Sequence, residues 1–237
     1  MNPTLHGLPG QPLPASDIPP LEAGDRLTRD EFERRYEAMP RLKKAELIEG
    51  VVYMPSPVRW HRHGTAHVHL VTWLGVYRAG TKGVECGDNT TLRLDQDNEP
   101  QPDGVLIIEP RCGGQVRISE DDYIEGAPEL VTEVASSSAS YDLHTKLNVY
   151  RRCGVKEYVV WRVRDLAIDW FVLAAGAYER MNPEPDGTLR SRAFPGLWLD
   201  PAAMLAGDLA QVLAVVQSGV ASPEHADFVT RLAARRE

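Results

Sequence analysis

Apolar residues recur along this 237-residue chain with two periods, and the period at each place predicts the element. Phe32 and Tyr36 form an i, i+4 pair, and Thr28 is followed three places later by Glu31. That pattern predicts a short helix opened by a capping box and stopped at Pro40. From Glu46 to Met54 the chain is rich in β-branched and aromatic residues and is closed by Pro55 and Pro57, which predicts a strand with a break at Gly50. At about 100° per residue, Ala66, Leu70, Trp73, Leu74 and Tyr77 share one stripe of a second helix, ended by Gly80. His63 and His67 fall on the same inward stripe, whereas His61 points away.

Segments 83–94 and 104–109 read as strands. The second is interior, because Val105, Leu106, Ile107 and Ile108 leave it no polar face. Residues 110–128 form a long excursion with three glycines and an acidic patch. Leu130 to Ala135 is another buried strand, and Ser136, Ser137 and Ser138 then offer N-cap hydroxyls to a helix carrying Leu143, Leu147 and Tyr150 as far as Gly154. Segments 156–163 and 167–175 are β-like around an Arg164-Asp165 turn. Beyond Pro201, 202–218 and 226–236 read as helices.

Prolines at 3, 9, 12, 14, 19 and 20 set residues 1–24 apart as a flexible leader. Residues 25–200 then form the main domain, and residues 201–237 a helical extension that packs on the core or on a second subunit. The order of elements predicts an α/β fold with a central mixed sheet flanked by helices rather than an alternating barrel.

Composition narrows this picture. With 43% hydrophobic and 25% charged residues, the chain suits one sizeable core. No run approaches the roughly 18 apolar residues of a membrane span, and the start lacks a basic and then apolar export signal. Cys86, Cys112 and Cys153 are odd in number and contain no Cys-x-x-Cys pair, which argues against a disulfide framework or a thiolate zinc site and for the cytoplasm. A net charge of −8 argues against gripping nucleic acid through the overall field. Local basic clusters remain at Arg41, Lys43 and Lys44, at Arg59 and Arg62, and at Arg151, Arg152 and Lys156; solvated faces explain them at least as well.

The chemistry centres on acids placed in apolar surroundings. Asp103 follows Pro102 at the mouth of an apolar strand, where it would meet solvent. Glu133 lies within Leu-Val-Thr-Glu-Val-Ala, where an unpaired carboxylate is costly. On adjacent strands, about 4 Å apart, the two would repel by roughly 4 kcal/mol at an effective dielectric near 20. A divalent cation removes that cost, and hard oxygen ligands favour Mg²⁺ or Mn²⁺; the bland alternative is two unconnected strand-end acids.

Lys146 stands four residues after Asp142 on one helix face, by itself an ordinary ion pair. Ala135, however, is two residues from Glu133 and on the same side of the sheet, and its small size leaves room for the lysine. An ammonium there could orient water or neutralise phosphate charge. His63 and His67 have the spacing of a helical zinc pair, but Gly64 stands where a zinc peptidase needs its glutamate.

Together, Pro102-Asp103, Pro128-Glu129-Leu130-Val131-Thr132-Glu133-Val134-Ala135-Ser136-Ser137-Ser138, Lys146, Tyr150 and Gly154-Val155-Lys156-Glu157-Tyr158 resemble the bacterial Uma-two family of the PD-(D/E)XK nuclease superfamily. The likeness spans roughly 26 to 200, including Glu46-Leu47-Ile48-Glu49-Gly50 and Phe194-Pro195-Gly196-Leu197. It implies a restriction-endonuclease-like core and a metal-dependent endonuclease that hydrolyses DNA. Asp103, Glu133 and Lys146 would be catalytic, with Asp103 and Glu133 as metal ligands. Ala135 occupies the superfamily's usual lysine position, so Lys146 would be the migrated replacement. Glu46 would be a further metal ligand and His63 an auxiliary. A homodimer suits cleavage of both strands, since twofold symmetry provides two sites. The alternative is an inert nuclease-like module that binds a protein partner or nucleic acid.

Overall fold

The structure is a computed structural model. It describes residues 18–54, 60–136 and 141–236, without the side chains of His61 and Arg62. Most of the expected leader, together with Ser137 and Ser138, lies outside the described residues.

Helix α1 (Arg29–Glu37) is followed by strands β1 (Glu46–Ile48) and β2 (Val51–Tyr53). The segment expected as one strand with a break is a hairpin, with Leu47 opposite Val52. Glu49 and Gly50, at φ 52° and 72°, form a two-residue turn whose left-handed backbone matches the twist of the strands. The expected capping box also does not form: Thr28 is the N-cap residue but its side chain caps nothing. Glu31 turns instead to Arg34 and Arg35, 2.7 and 2.6 Å away.

A π-helical turn (Trp60–Gly64) leads into α2 (Thr65–Gly80), which buries Ala66, Leu70, Trp73, Leu74 and Tyr77. Strands β3 (Val84–Gly87), β4 (Leu92–Arg93), β5 (Gly104–Ile108), β6 (Arg117–Ile118), β7 (Ile124–Glu125) and β8 (Leu130–Ala135) follow. A second π-helical turn (Asp142–Lys146) opens α3 (Leu147–Cys153), which Gly154 ends at φ 91°, a left-handed cap that suits glycine. Next come β9 (Glu157–Arg162), β10 (Ala167–Ala174), β11 (Ala177–Arg180), β12 (Leu189–Arg190) and β13 (Trp198–Leu199).

The C-terminal segment holds three helices rather than two: α4 (Pro201–Ala206), α5 (Leu209–Val220) and α6 (Pro223–Arg235). Gly207 at φ 76° ends α4, and Asp208 then caps α5 through its carboxylate. Asp200 caps α4 through its carboxylate and Ser222 caps α6 through its hydroxyl oxygen, and the break at Gly207 and Asp208 leaves no continuous helix through 202–218.

The main sheet has the order β11-β10-β9-β8-β5-β3. All neighbours are antiparallel except β8 and β9, whose parallel pairing requires the crossover that α3 supplies. Alternation along the strands divides the core into two layers. Leu106, Leu130, Val134, Val159 and Trp161 face α2 and the C-terminal helices, packing with Trp73, Met204, Val212, Val216 and Phe228. Val105, Ile107, Val131, Ala135 and Val160 face the other way, toward Tyr150 of α3. The β1–β2 hairpin and α1 close a smaller third cluster around Phe32 and Leu47. Among the described residues no helix is long and apolar enough to cross a membrane.

Candidate functional site

The antiparallel register of β5 and β8 sets Gly104 opposite Thr132, so one residue further along, Asp103 and Glu133 come side by side. Asp103, which the sequence places at a solvent-facing strand mouth, is instead buried at 4% exposure. Glu133 shares its face of β8 with Val131 and Ala135, the face that α3 covers. Lys146 ends the π-helical turn before α3, and Glu46 begins β1. Glu46, Glu133 and Lys146 are also buried.

The Lys146 ammonium donates to Glu133 Oε1 at 2.8 Å and to Glu46 Oε1 at 2.9 Å. Tyr150, one helical turn after Lys146, donates its hydroxyl to the same Glu133 oxygen at 3.1 Å. Glu46 Oε1 also accepts the Gln101 backbone N–H at 2.7 Å. Ala135 is buried on this face. Lys146 therefore pairs with acids from two distant strands, which its helical spacing to Asp142 does not reveal.

Asp103 forms the neighbouring half of the cluster. Its Oδ2 accepts the Val134 N–H at 2.7 Å, and its Oδ1 lies 3.3 Å from His63 Nε2. The other ring nitrogen, His63 Nδ1, is 3.2 Å from the Val134 carbonyl oxygen. A carbonyl and a carboxylate both accept, so the ring satisfies both contacts only as imidazolium. His67 Nε2 lies 3.0 Å from the Asp103 carbonyl oxygen and 2.8 Å from Asp88 Oδ1, and its ring stacks on His63 at 5.5 Å. Both histidines thus serve the Asp103 end of the site.

These contacts set the charges. The Asp103 hydrogen bond holds His63 above its usual range, against the effect of burial. Burial alone would raise the Asp103 carboxyl, but the His63 hydrogen bond and charge, with Lys44 and the Val134 N–H, bring it below the usual carboxylate range. Burial would lower Lys146, yet the charges of Glu133 and Glu46 raise it well above its ordinary value. Glu133 is pushed up to about 8 by burial, with the Lys146 ammonium pulling down and Asp142, Asp103 and Glu46 adding to the rise.

Among the described residues no group of three or more His, Cys, Asp or Glu side chains is arranged as a metal cage. The donor chemistry nevertheless fits a hard cation: Glu46, Asp103 and Glu133 offer carboxylate oxygens, and the charges of Asp103 and Glu46 raise the pKa of Glu133. In this arrangement Lys146 relieves that repulsion for two of the three acids. Tyr150, His67 and the N–H groups of Gln101 and Val134 were not singled out as site groups from the sequence. Tyr150 and His67 each carry a local signal, their i+4 spacing from Lys146 and from His63.

A mixed sheet flanked by helices, with acids on its central strands and a lysine on the helix after β8, defines the restriction-endonuclease-like fold. The chain belongs to the Uma2 family, described as "Putative restriction endonuclease", which residues 29–202 match. Its fold is similar to a crystal structure described as "a putative nuclease belonging to DUF820" from Anabaena variabilis ATCC 29413. The TM-score is 0.55 at 16% identity, over 82% of this chain and 99% of that one. No curated protein matches the chain.

Proposed function

We propose that the chain is an endonuclease that hydrolyses DNA phosphodiester bonds with Mg²⁺ or Mn²⁺, using Asp103, Glu133 and Lys146 as its centre, Glu46 as a further ligand and His63 as an auxiliary. The observation that carries this reading is the convergence of Glu46, Glu133 and Lys146 beside Asp103, all buried. An ion held by Asp103, Glu133 and Glu46 supplies, when bound, a Lewis acid for a phosphoryl oxygen and a lowered pKa for its water.

The chain's own residues supply the rest. Lys146 brings a fixed positive charge suited to a phosphate oxygen, and Tyr150 helps to hold Glu133 in place. His63, clamped between Asp103 and the Val134 carbonyl, fixes the direction of the Asp103 carboxylate. Lys44, whose charge is felt at Asp103, suits a phosphate backbone entering from that side. A cytoplasmic setting belongs to the proposal and agrees with the free thiols of Cys86, Cys112 and Cys153. So does a homodimer, in which twofold symmetry offers one site to each strand.

One observation favours a second reading, an inert module that binds a protein or nucleic acid: the Lys146 ammonium bonds both Glu46 and Glu133 and so stands between them, where a shared metal ion would otherwise sit. Nicking of supercoiled plasmid in Mn²⁺ separates the two. Activity that disappears in Asp103→Ala supports hydrolysis, while equal activity in that variant removes Asp103 from the mechanism. Calorimetric titration with Mn²⁺ gives an independent measurement, because an inert module shows no uptake that depends on Glu133.

A further inference from the structure

Asp103 precedes β5 and Ile108 ends it, so the far end of this strand lies about 16 Å from the candidate centre. There Ile108, the segment around Pro195 and the edge of α6 where its buried face meets solvent line an open cleft of about 200 Å³. Its charged lining consists of Arg192, Arg231 and Arg235, with no carboxylate among the lining residues, and Phe228 contributes an aromatic floor. None of the three guanidiniums belongs to an ion pair among the described residues, although the chain carries eight more negative than positive charges.

This crowding has a physical cost that an anion would relieve. Arg231 and Arg235 are four residues apart on α6, where like charges repel. All three arginines are exposed, and the fold fixes the backbone of Arg192 and one guanidinium, that of Arg235. The Arg192 backbone N–H donates to Glu157 Oε1 at 2.6 Å, and Arg235 packs so closely on Gly113 that a Cβ there would fall 2.7 Å from Nη1. Guanidiniums match the oxygens of a phosphoryl group through paired hydrogen bonds. The cleft is smaller than the roughly 300 Å³ at which drug-sized pockets begin, so its occupant is small.

We infer that this cleft binds a phosphomonoester, with the phosphoryl group held by Arg231, Arg235 and Arg192 and the attached organic body lying on Phe228 and Pro195. The phosphoryl group could come from a free small molecule or from the 5′ end of a DNA strand, and the test separates these sources.

The full chain, kept in chelator so that no cleavage occurs, is titrated calorimetrically with a nucleoside 5′-monophosphate, inorganic phosphate and the parent nucleoside. The monophosphate is expected to bind at least about tenfold more tightly than phosphate, with no binding of the nucleoside. An Arg231→Gln/Arg235→Gln variant with unchanged Tm should lose at least that factor. Displacement of the monophosphate by a duplex bearing a 5′-phosphate, and not by its 5′-hydroxyl counterpart, assigns the source to DNA ends; displacement by neither assigns it to a free small molecule. Equal binding of phosphate and monophosphate, binding of the nucleoside alone, undiminished binding in the variant, or displacement by both duplexes would overturn the inference.

Discussion

Lys146 Nζ lies 2.8 Å from Glu133 Oε1, and the same ammonium reaches Glu46, a hundred residues away in sequence, at 2.9 Å. Burial makes this arrangement sensitive to the loss of one member. Lys146→Met is expected to lower stability by about 3–5 kcal/mol, because removing one partner of a buried pair leaves uncompensated charge. The drop should appear in urea unfolding as a lower midpoint at unchanged slope. Adding Glu133→Gln should recover part of the loss, with a coupling of at least about 1 kcal/mol in a double-mutant cycle. Purely additive effects would show that the pair does not act as one unit.

The contact between His63 and Asp103 predicts a pH window. Asp103 is depressed below its ordinary 3.8, so its contribution to stability is present above that value and is lost as pH falls through the depressed one. His63 is raised above 6.5, so its contribution is complete below 6.5 and is lost as pH rises through the higher value. The pair therefore stabilises most strongly between these limits. In Asp103→Asn the His63 resonance should titrate at lower pH than in the parent, as followed by NMR. An unmoved titration would show that Asp103 does not hold the ring charged.

A second acidic cluster, outside the site, predicts a slope in stability. Glu99 is buried beside Glu33 and pushed up to about 9, by burial first and then by the Glu33 hydrogen bond and charge, with Arg93 and Arg29 opposing. Because the folded state keeps this proton longer than the unfolded chain, the stabilisation is complete below about 4.5 and declines until pH passes about 9. The unfolding free energy measured from pH 5 to 9 should therefore fall less steeply in Glu99→Gln than in the parent, by at most about 1.4 kcal/mol per pH unit. Parallel profiles would contradict this.

Glu157 is fully buried and accepts hydrogen bonds from Trp170 Nε1, Ser191 Oγ and the N–H groups of Arg192 and Ala193. It thereby ties β9 to the segment leading into Phe194-Pro195-Gly196-Leu197. Glu157→Ala strands four donors, each costing about 1–3 kcal/mol if left dry. A loss of at least about 3 kcal/mol is expected in denaturant unfolding, with Mn²⁺ titration of the folded variant unchanged. Weakened Mn²⁺ uptake at unchanged stability would move Glu157 from a structural role into the site.

The elements around the site are legible because their cause is local. The mostly apolar run Leu130 to Ala135, the apolar run ending at Ile108 and the stripe from Ala66 to Tyr77 each encode burial within a few residues. The same locality places Asp103 and Glu133 on strands, Lys146 on the helical segment before Gly154 and Ala135 beside Glu133. Errors arise where a local signal has competitors. Arginines draw Glu31 away from the Thr28 cap, Gly50 supports a turn rather than a kink, and Gly207 with Asp208 divides a helix whose apolar pattern runs through them.

By itself, then, the sequence determines the mixed α/β fold and the buried faces of its strands, since these follow from side-chain periodicity over short stretches. Only the tertiary structure decides that Glu46 shares the Lys146 ammonium, that His63 bridges Asp103 and the Val134 carbonyl, and that Asp103 is buried. Those contacts join β1, the turn before α2, β5, β8 and the turn before α3. Their energies depend on distance and exclusion of water after packing, which no stretch of chain encodes alone.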